Sequence, residues 1–247
     1  MNTGSQPDKS PVAMISAWLV HLLTASGAIF GLLAMNATTD GHYIMALVWM
    51  AVTTAIDGVD GALARKFKVK YYLPQFDGAL LDNIVDYFTY VLVPAYFLLH
   101  VEILPEPWRL PVACLILLAS AYQFCLNDAK TSDHTFTGFP SYWNVVVFYL
   151  FLLPLPWQFN AALLVLCAVG VFIPVHYLYP SRTPILRPVN IVLGLVWSVM
   201  LLVALVRYPD GHESIVLFSF FYVVYYLIFS LWLTLRRKHA EKTAGTV

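Results

Sequence analysis

Apolar residues fill most of this chain in long stretches, which short polar or Pro- and Gly-containing links separate. A helix needs about 20 apolar residues to cross roughly 30 Å of hydrocarbon. Stretches of about that length cover residues 14–37, 42–64, 79–100, 109–127, 141–158, 161–180, 188–207 and 213–235. The pattern predicts an all-α integral membrane protein with about eight transmembrane helices. We expect an N-terminal tail over 1–12, one transmembrane domain over 13–236 and a C-terminal tail over 237–247.

Composition agrees with a membrane bundle. Of the 247 residues, 60% are hydrophobic and only 11% are charged, and the mean hydropathy is +0.72. Soluble domains carry about a quarter charged residues, and a soluble fold of this composition would expose unusually large apolar patches. The formal net charge is zero, which argues against a nucleic-acid-binding protein. Function must therefore depend on where the few charges lie.

Basic residues are distributed unevenly between the predicted loops. Twelve of the 14 Lys and Arg residues fall in tails or loops on one side, and only Arg109 and Arg207 fall on the other. Short loops that carry Lys and Arg stay in the cytoplasm. Both termini are therefore predicted to be cytoplasmic.

Four aspartates lie inside predicted spans, where a carboxylate is costly unless it is paired, hydrated or metal-bound. Asp57 and Asp60 are three residues apart in the second span, and Asp82 and Asp86 are four apart in the third. Such spacings place each pair on one helix face. At 1.5 Å per residue, both pairs lie at similar depths below the cytoplasmic loop that joins the two helices. Four converging carboxylates favour a divalent cation, Mg²⁺ or Mn²⁺.

Small residues continue the face of the first pair. Gly61 and Ala64 lie four and seven residues after Asp57, where a bare backbone lets a flat ligand approach the helix. Arg65 follows with a guanidinium suited to bidentate phosphate contact. For Gly58, close helix packing is the alternative interpretation.

These residues resemble a family signature. The run from Asp57 to Arg65, followed by Gly78, Asp82 and Asp86, is similar to the motif of the CDP-alcohol phosphotransferases. In words, the motif is Asp, two residues, Asp-Gly, two residues, Ala-Arg, a gap, Gly, three residues, Asp, three residues and Asp. The gap over 66–77 has twelve residues instead of the usual eight. A longer gap is typical of the bacterial phosphatidylcholine synthases, which segments 20–27, 127–134 and 138–144 also resemble.

The resemblance implies a reaction for the domain over 13–236: CDP-diacylglycerol and choline give phosphatidylcholine and CMP. It implies that Asp57, Asp60 and Asp82 hold metal, two ions of Mn²⁺ or Mg²⁺, with Asp86 close to the metal as general base. It also implies a nucleotide and diphosphate site, which consists of His21, Thr24, Gly61, Ala64, Arg65 and Gly78. Many family members have Asn at the position of His21. The resemblance further implies a homodimer in the bacterial inner membrane, with its active site facing the cytoplasm.

Choline recognition is expected to depend on aromatic residues. Aromatic faces hold a quaternary ammonium best, and the aromatic candidates near the cytoplasmic level are Tyr122, Tyr142, Trp143, Tyr177 and Tyr179. The polar loop that contains Asp128, Lys130, Asp133 and His134 is either a solvated loop or a lid over the acceptor. Arg182 and Arg187 either attract the anionic donor or only enforce the topology.

Two alternatives stay open. Within the same family, the acceptor is serine, inositol phosphate or glycerol phosphate, although a phosphorylated acceptor needs a basic pocket for which the chain has few spare cations. In a different class, the aspartates bind the cargo of a cation transporter. A transporter needs a polar pathway through the outer half of the membrane or broken helices in repeated halves, and the outer half here is almost uniformly apolar.

Overall fold

The computed structural model describes residues 10–126, 135–180 and 182–244, and within these ranges the regular secondary structure is helical apart from two short strands. In chain order the elements are α1 (Pro11–Thr39), α2 (Tyr43–Lys66), α3 (Val69–Tyr72), α4 (Gly78–Asp86), a π-helical segment (Tyr87–Leu92), α5 (Val93–His100), α6 (Glu106–Cys125), β1 (Thr135–Thr137), α7 (Trp143–Leu152), α8 (Trp157–Gly170), β2 (His176–Leu178), α9 (Arg187–Arg207) and α10 (Glu213–Ala244). The expectation of an all-α protein is confirmed.

Five of the described helices are long and apolar enough to cross a membrane: α1, α2, α6, α9 and residues 213–237 of α10. Their outer faces carry exposed apolar side chains, such as Val206 at 87% and Phe221 at 73% exposure. Such faces suit contact with lipid, whose chains are as apolar as Leu. The chain therefore has the construction of a multi-pass membrane protein. The eight crossings remain a prediction, because α7 and α8 have only 10 and 14 residues. The cytoplasmic location of both termini also remains a prediction.

The predicted third span is a continuous helical run of three parts, α4, the π-helical segment and α5. Pro94 lies at the start of α5. Because proline has no N–H, it cannot donate to the carbonyl of the preceding turn, and here the wider π turn comes just before it. Single π turns inside helices are frequent at functional sites. This one begins directly after Asp86 and contains Tyr90.

Close packing joins α1 to this run. A Cβ atom added to Gly27 would lie 2.8 Å from Val85 Cγ1, and one added to Gly31 would lie 2.5 Å from Phe88 Cε1. Both contacts need a bare glycine backbone, as is common between membrane helices. At Gly58, a Cβ atom would meet no atom of the described chain within 4 Å. The close packing considered for Gly58 thus occurs at Gly27 and Gly31 instead.

The long gap of the motif is a folded connection. It contains the short helix α3, and Val69 and Leu73 are buried in a cluster with Ala17 and Val20 of α1. Burial of these side chains holds residues 66–77 along α1. The connection therefore leads the chain from the end of α2 back to the start of α4.

The two strands form a small sheet that is bound to α10 through β2. β1 and β2 pair antiparallel, with Thr137 opposite His176. The backbone N–H of His176 donates to Thr234 Oγ1 at 2.8 Å, and that of Leu178 donates to Ser230 Oγ at 3.0 Å. The helix predicted over 161–180 therefore ends at Gly170. The residues after it form a strand that is bound to α10.

Candidate active site

Three of the four predicted aspartates converge between α2 and α4. One carboxylate oxygen from each of Asp57, Asp82 and Asp86 lies within 4.8 Å of the other two, and the three residues are half-buried. Two oxygens on opposite sides of a hexacoordinate Mg²⁺ are about 4.2 Å apart, since each bond is about 2.1 Å. The donor set and its spacing therefore fit an oxygen-ligated divalent cation.

Asp60 has a different environment from the other three carboxylates. It is buried, with 5% exposure, and the hydroxyl of Thr24 donates to its Oδ2 at 2.7 Å. The sequence assigned Thr24 to the nucleotide site, and the structure places it beside the carboxylate. Since a carboxylate accepts several bonds at once, this hydrogen bond is compatible with metal coordination by the same group.

Tyr90 connects the cluster to the π-helical segment. Its hydroxyl donates to Asp57 Oδ2 at 2.8 Å, and the side chain is buried. The hydrogen bond orients a predicted metal ligand. The sequence did not identify Tyr90, because a π turn shifts the helical register in a way that a regular 3.6-residue period does not predict.

Asp77 sets the start of the helix that carries Asp82 and Asp86. Its Oδ1 accepts hydrogen bonds from the backbone N–H groups of Ala79 at 3.1 Å and Leu80 at 3.0 Å. An N-cap of this kind stabilises a helix by about 1 kcal/mol. The signal was visible in the sequence as an Asp directly before the Gly78 of the motif.

His21 lies against Gly78. A Cβ atom added to Gly78 would lie 2.5 Å from His21 Cε1, and the imidazole also packs against Phe76 with ring centroids 4.4 Å apart. His21 is 7% exposed, and its Nε2 has no hydrogen-bond partner in the described part of the chain. The structure thus brings together two residues that the sequence assigned to the nucleotide site. A buried nitrogen of this kind is suited to a polar ligand.

Two arginines approach the backbone of α2 at Gly61. A Cβ atom added to Gly61 would lie 3.5 Å from Arg65 Nη1 and 3.7 Å from Arg182 Nη2. Arg65 comes from the same helix, and Arg182 comes from the turn between β2 and α9. The motif predicted Arg65 here. The sequence left open whether Arg182 attracts the anionic donor or only enforces the topology, since only the tertiary fold brings it to α2.

Among the predicted acceptor residues, Tyr142 lies beside the acidic cluster. Its ring centroid is 5.9 Å from that of Tyr90. It also lies within electrostatic range of Asp57 and Asp86, and of Tyr179. Tyr142 is therefore the member of the predicted set that the structure brings near the carboxylates, and Tyr179 lies near Tyr142.

The other predicted acceptor residues have different surroundings. Trp143 is fully buried, and its indole N–H donates to Ser120 Oγ at 2.7 Å. Tyr122 is 49% exposed and packs against Phe172. Tyr177 lies on β2 and stacks on Tyr226 of α10 with centroids 6.2 Å apart. The polar loop considered as a lid, with Asp128, Lys130, Asp133 and His134, lies outside the described residues.

Tyrosines of α10 complete this aromatic region. Tyr222 and Tyr226 lie within electrostatic range of Tyr142. The hydroxyl of Tyr226 is buried and has no hydrogen-bond partner in the described ranges. Their spacing of four residues puts them on one helix face, which was a sequence signal. It was missed because most tyrosines of a membrane protein are expected to be interfacial or packing residues.

A family model described as CDP-alcohol phosphatidyltransferase matches residues 14–175, which include most of α1, the motif and the acidic cluster. The chain belongs to the CDP-alcohol phosphatidyltransferase family. The resemblance that the motif indicated is thereby confirmed. Family membership also favours an enzyme over the alternative of a cation transporter.

Within this family, the chain is similar to curated proteins named phosphatidylcholine synthase. A phosphatidylcholine synthase of Legionella pneumophila is 43% identical over 238 residues, which are 92% of this chain and 93% of the relative. One from Pseudomonas aeruginosa is 38% identical and covers 92% of this chain and 95% of the relative. One from Rhizobium meliloti is 38% identical over 79% of this chain and 81% of the relative. The similarity extends beyond the motif to nearly the whole chain.

Proposed function

We propose that this chain is a phosphatidyltransferase that makes phosphatidylcholine and CMP from CDP-diacylglycerol and choline. The observation that carries the proposal is the convergence of Asp57, Asp82 and Asp86, all at motif positions, in one half-buried site. The names of relatives that are similar over most of their length support choline as the acceptor. No comparable observation favours serine, inositol phosphate or glycerol phosphate.

The carboxylates supply the metal site in this proposal. Asp57, Asp82 and Asp86 would hold the ion or ions, and Asp60 would contribute from the same face of α2. When bound, Mg²⁺ or Mn²⁺ neutralises charge on the diphosphate and on the departing CMP. The chain's own part is to hold these oxygens in place. The hydrogen bonds from Tyr90 to Asp57 and from Thr24 to Asp60 serve that purpose.

Asp86 is the proposed general base. The choline hydroxyl attacks the phosphorus of the phosphatidyl group, and its proton passes to a carboxylate oxygen of Asp86. The bond between that phosphorus and the oxygen of CMP breaks, and CMP leaves with the electron pair. A positioned base of this kind typically contributes about 10²- to 10⁴-fold to the rate.

The donor lies along α2 in this proposal. Gly61 and Ala64 present a bare helix backbone to the nucleotide and diphosphate, and Arg65 contacts phosphate oxygens. Gly78 leaves room for the imidazole of His21, and the buried Nε2 of His21 is available to the donor.

The acceptor lies on the aromatic side of the carboxylates. We assign Tyr142 as an aromatic face for the quaternary ammonium, since Tyr142 lies near both Tyr90 and Asp86. Tyr179, Tyr222 and Tyr226 surround it with further rings. Tyr177 supports Tyr226 by stacking. The buried, hydrogen-bonded Trp143 and the exposed Tyr122 are assigned to packing.

The site opens to the cytoplasm in this proposal, and the protein is a homodimer in the bacterial inner membrane. The side on which twelve of the 14 basic residues lie supports this orientation. A water-soluble alcohol and a lipid-anchored nucleotide would meet there at headgroup depth. Labelling of single cysteines in whole cells tests the orientation, and light scattering of the detergent-solubilised protein tests the dimer.

The decisive experiment supplies the purified protein with CDP-diacylglycerol, Mn²⁺ and one labelled alcohol at a time. We expect CMP and labelled phosphatidylcholine with choline. Absence of CMP with every alcohol would contradict the enzyme assignment. Labelled lipid from serine but not from choline would contradict the acceptor.

Replacement of Asp86 by Asn tests the base. We expect turnover to fall at least 10²-fold, because the amide cannot take the proton, while CDP binding measured by calorimetry is largely retained. Asp210→Asn is the matched control, since Asp210 is exposed in the turn between α9 and α10. Full turnover by Asp86→Asn would show that another group is the base.

A further inference from the structure

Arg182 is held by a well-defined turn between β2 and α9. The backbone N–H groups of Arg182 and Thr183 both donate to the carbonyl of Tyr179, at 2.9 and 2.8 Å. In return, the N–H of Tyr179 donates to Thr183 Oγ1 at 3.0 Å. The guanidinium lies over the ring of Tyr179, with Cζ 5.6 Å from the ring centroid. Turn and ring together direct this half-buried side chain toward α2.

The guanidinium groups of Arg182 and Arg65 both lie close to the α2 backbone at Gly61. The site of a Cβ atom on Gly61 is 3.5 Å from Arg65 Nη1 and 3.7 Å from Arg182 Nη2. The two nitrogens are therefore separated by no more than the sum of these distances. Two oxygens of one phosphate can accept from both nitrogens across such a gap, since each charge-assisted bond is about 2.8 Å long.

Within the described ranges, no ion pair joins the Arg65 or the Arg182 guanidinium to a carboxylate. Two cations directed at the same bare backbone repel each other unless an anion lies between them. Arginine is also the side chain best suited to bind phosphate oxygens through its planar fork. Position, charge and geometry together indicate an anion site.

We propose that Arg182 and Arg65 form a two-arginine site for phosphate oxygens of the donor diphosphate, over the backbone of Gly61. The proposal rests on the function proposed above. Asp57 lies one helical turn before Gly61 on α2, so the carboxylate site and the arginine pair lie next to each other along one helix. A diphosphate can then reach from the carboxylates to the arginines. The phosphate of a bulk anionic lipid has the same chemistry and is the competing source.

The test compares Arg182→Gln and Arg182→Lys with Lys66→Gln in the full-length protein. Lys66 is an exposed cation at the same end of α2, so its removal controls for loss of one surface charge. We expect Arg182→Gln to weaken binding of soluble CDP about tenfold in calorimetry and to raise KM for CDP-diacylglycerol by a similar factor. Arg182→Lys should recover only part of the loss, and KM for choline should not change. Lys66→Gln should bind CDP like the wild type.

A second variant covers the case that Arg182→Gln fails to fold. Gly61→Ala puts a methyl group between the guanidinium groups at ordinary contact distances, so the fold should persist while CDP binding falls. CDP binding by both variants at wild-type strength would overturn the proposal. It would also be overturned if CDP binding were unchanged and the KM defect grew with the fraction of phosphatidylglycerol in mixed micelles, since a bulk lipid would then be the ligand. CDP binding is measured without turnover. If choline fails as the acceptor, the outcome of this binding test is therefore unaffected.

Discussion

At the scale of single residues, Tyr90 and Tyr142 have different proposed roles: Tyr90 orients a metal ligand, and Tyr142 binds choline. Tyr90 donates to Asp57 at 2.8 Å, whereas the ring of Tyr142 lies with its centroid 5.9 Å from that of Tyr90. We predict that Tyr90→Phe lowers kcat about tenfold, since a hydrogen bond to a charged group contributes about 1.5–3 kcal/mol. Tyr142→Ala should instead raise KM for choline about tenfold, because a cation–π contact is lost.

Steady-state kinetics with varied choline measures both effects. Tyr142→Phe is the matched control, since it keeps the aromatic face and should keep a KM near that of the wild type. A change of kcat alone in Tyr142→Ala would contradict its assignment to the acceptor. An unchanged kcat in Tyr90→Phe would mean that the bond to Asp57 does not matter for turnover.

Local spacing along helices made part of the site predictable. Asp57, Asp82 and Asp86 follow the helical period, so their convergence needed only the assumption that two antiparallel helices pack together. Asp60 lies on the same helix, and it accepts a hydrogen bond from Thr24 of α1, a partner that the spacing along α2 does not predict. Arg182 depends on chain-distant contacts that no local period encodes.

At the scale of elements, the packing of α1 on α4 and the π-helical segment determines where the acidic face lies. Gly31 has no room for a side chain, since an added Cβ atom would lie 2.5 Å from the ring of Phe88. We predict that Gly31→Ala lowers the free energy of unfolding by about 1–3 kcal/mol through overpacking. Thermal unfolding in detergent measures the change.

Gly58→Ala is the matched control on α2. Its added Cβ atom would meet no described atom within 4 Å, and Ala is a better helix former than Gly by roughly 1 kcal/mol. Its midpoint of unfolding should stay level or rise. A fall for Gly58→Ala as large as that for Gly31→Ala would contradict the assignment of close packing to α1.

Long apolar helices were the elements that the sequence predicted best. Hydropathy located α1, α2, α6, α9 and the start of α10 within a few residues, because each is a single uninterrupted helix, whereas α10 continues to Ala244, beyond the predicted end at 235. It could not place the π turn before Pro94 or the strand at 176–178, where backbone hydrogen bonding to α10 competes with helix continuation. An apolar stretch of sequence does not determine whether its backbone N–H groups donate within a helix or to another element.

At the scale of the whole molecule, the acidic cluster and the His212 contacts that precede α10 lie at opposite ends of the bundle. The acidic cluster lies near the end of α2, and α10 reaches the same end through its contacts with β2. The start of α10 is about 20 Å away from Tyr226 along the helix axis. His212 precedes it, buried between the carbonyls of Pro209 and Leu152, with ring nitrogens 2.8 and 2.9 Å from the two oxygens.

Because of this separation, stability and substrate binding should respond independently to changes at the far end. His212→Ala removes the side chain that bridges α7 to the turn before α10, and it leaves a buried carbonyl without that partner. We predict a loss of about 1–3 kcal/mol in the free energy of unfolding, with KM for CDP-diacylglycerol and choline unchanged at permissive temperature. His42→Ala, at an exposed position before α2, should change neither. A raised KM in His212→Ala with an unaltered unfolding midpoint would show that the far end acts on the site directly, against the separation of roles that the fold indicates.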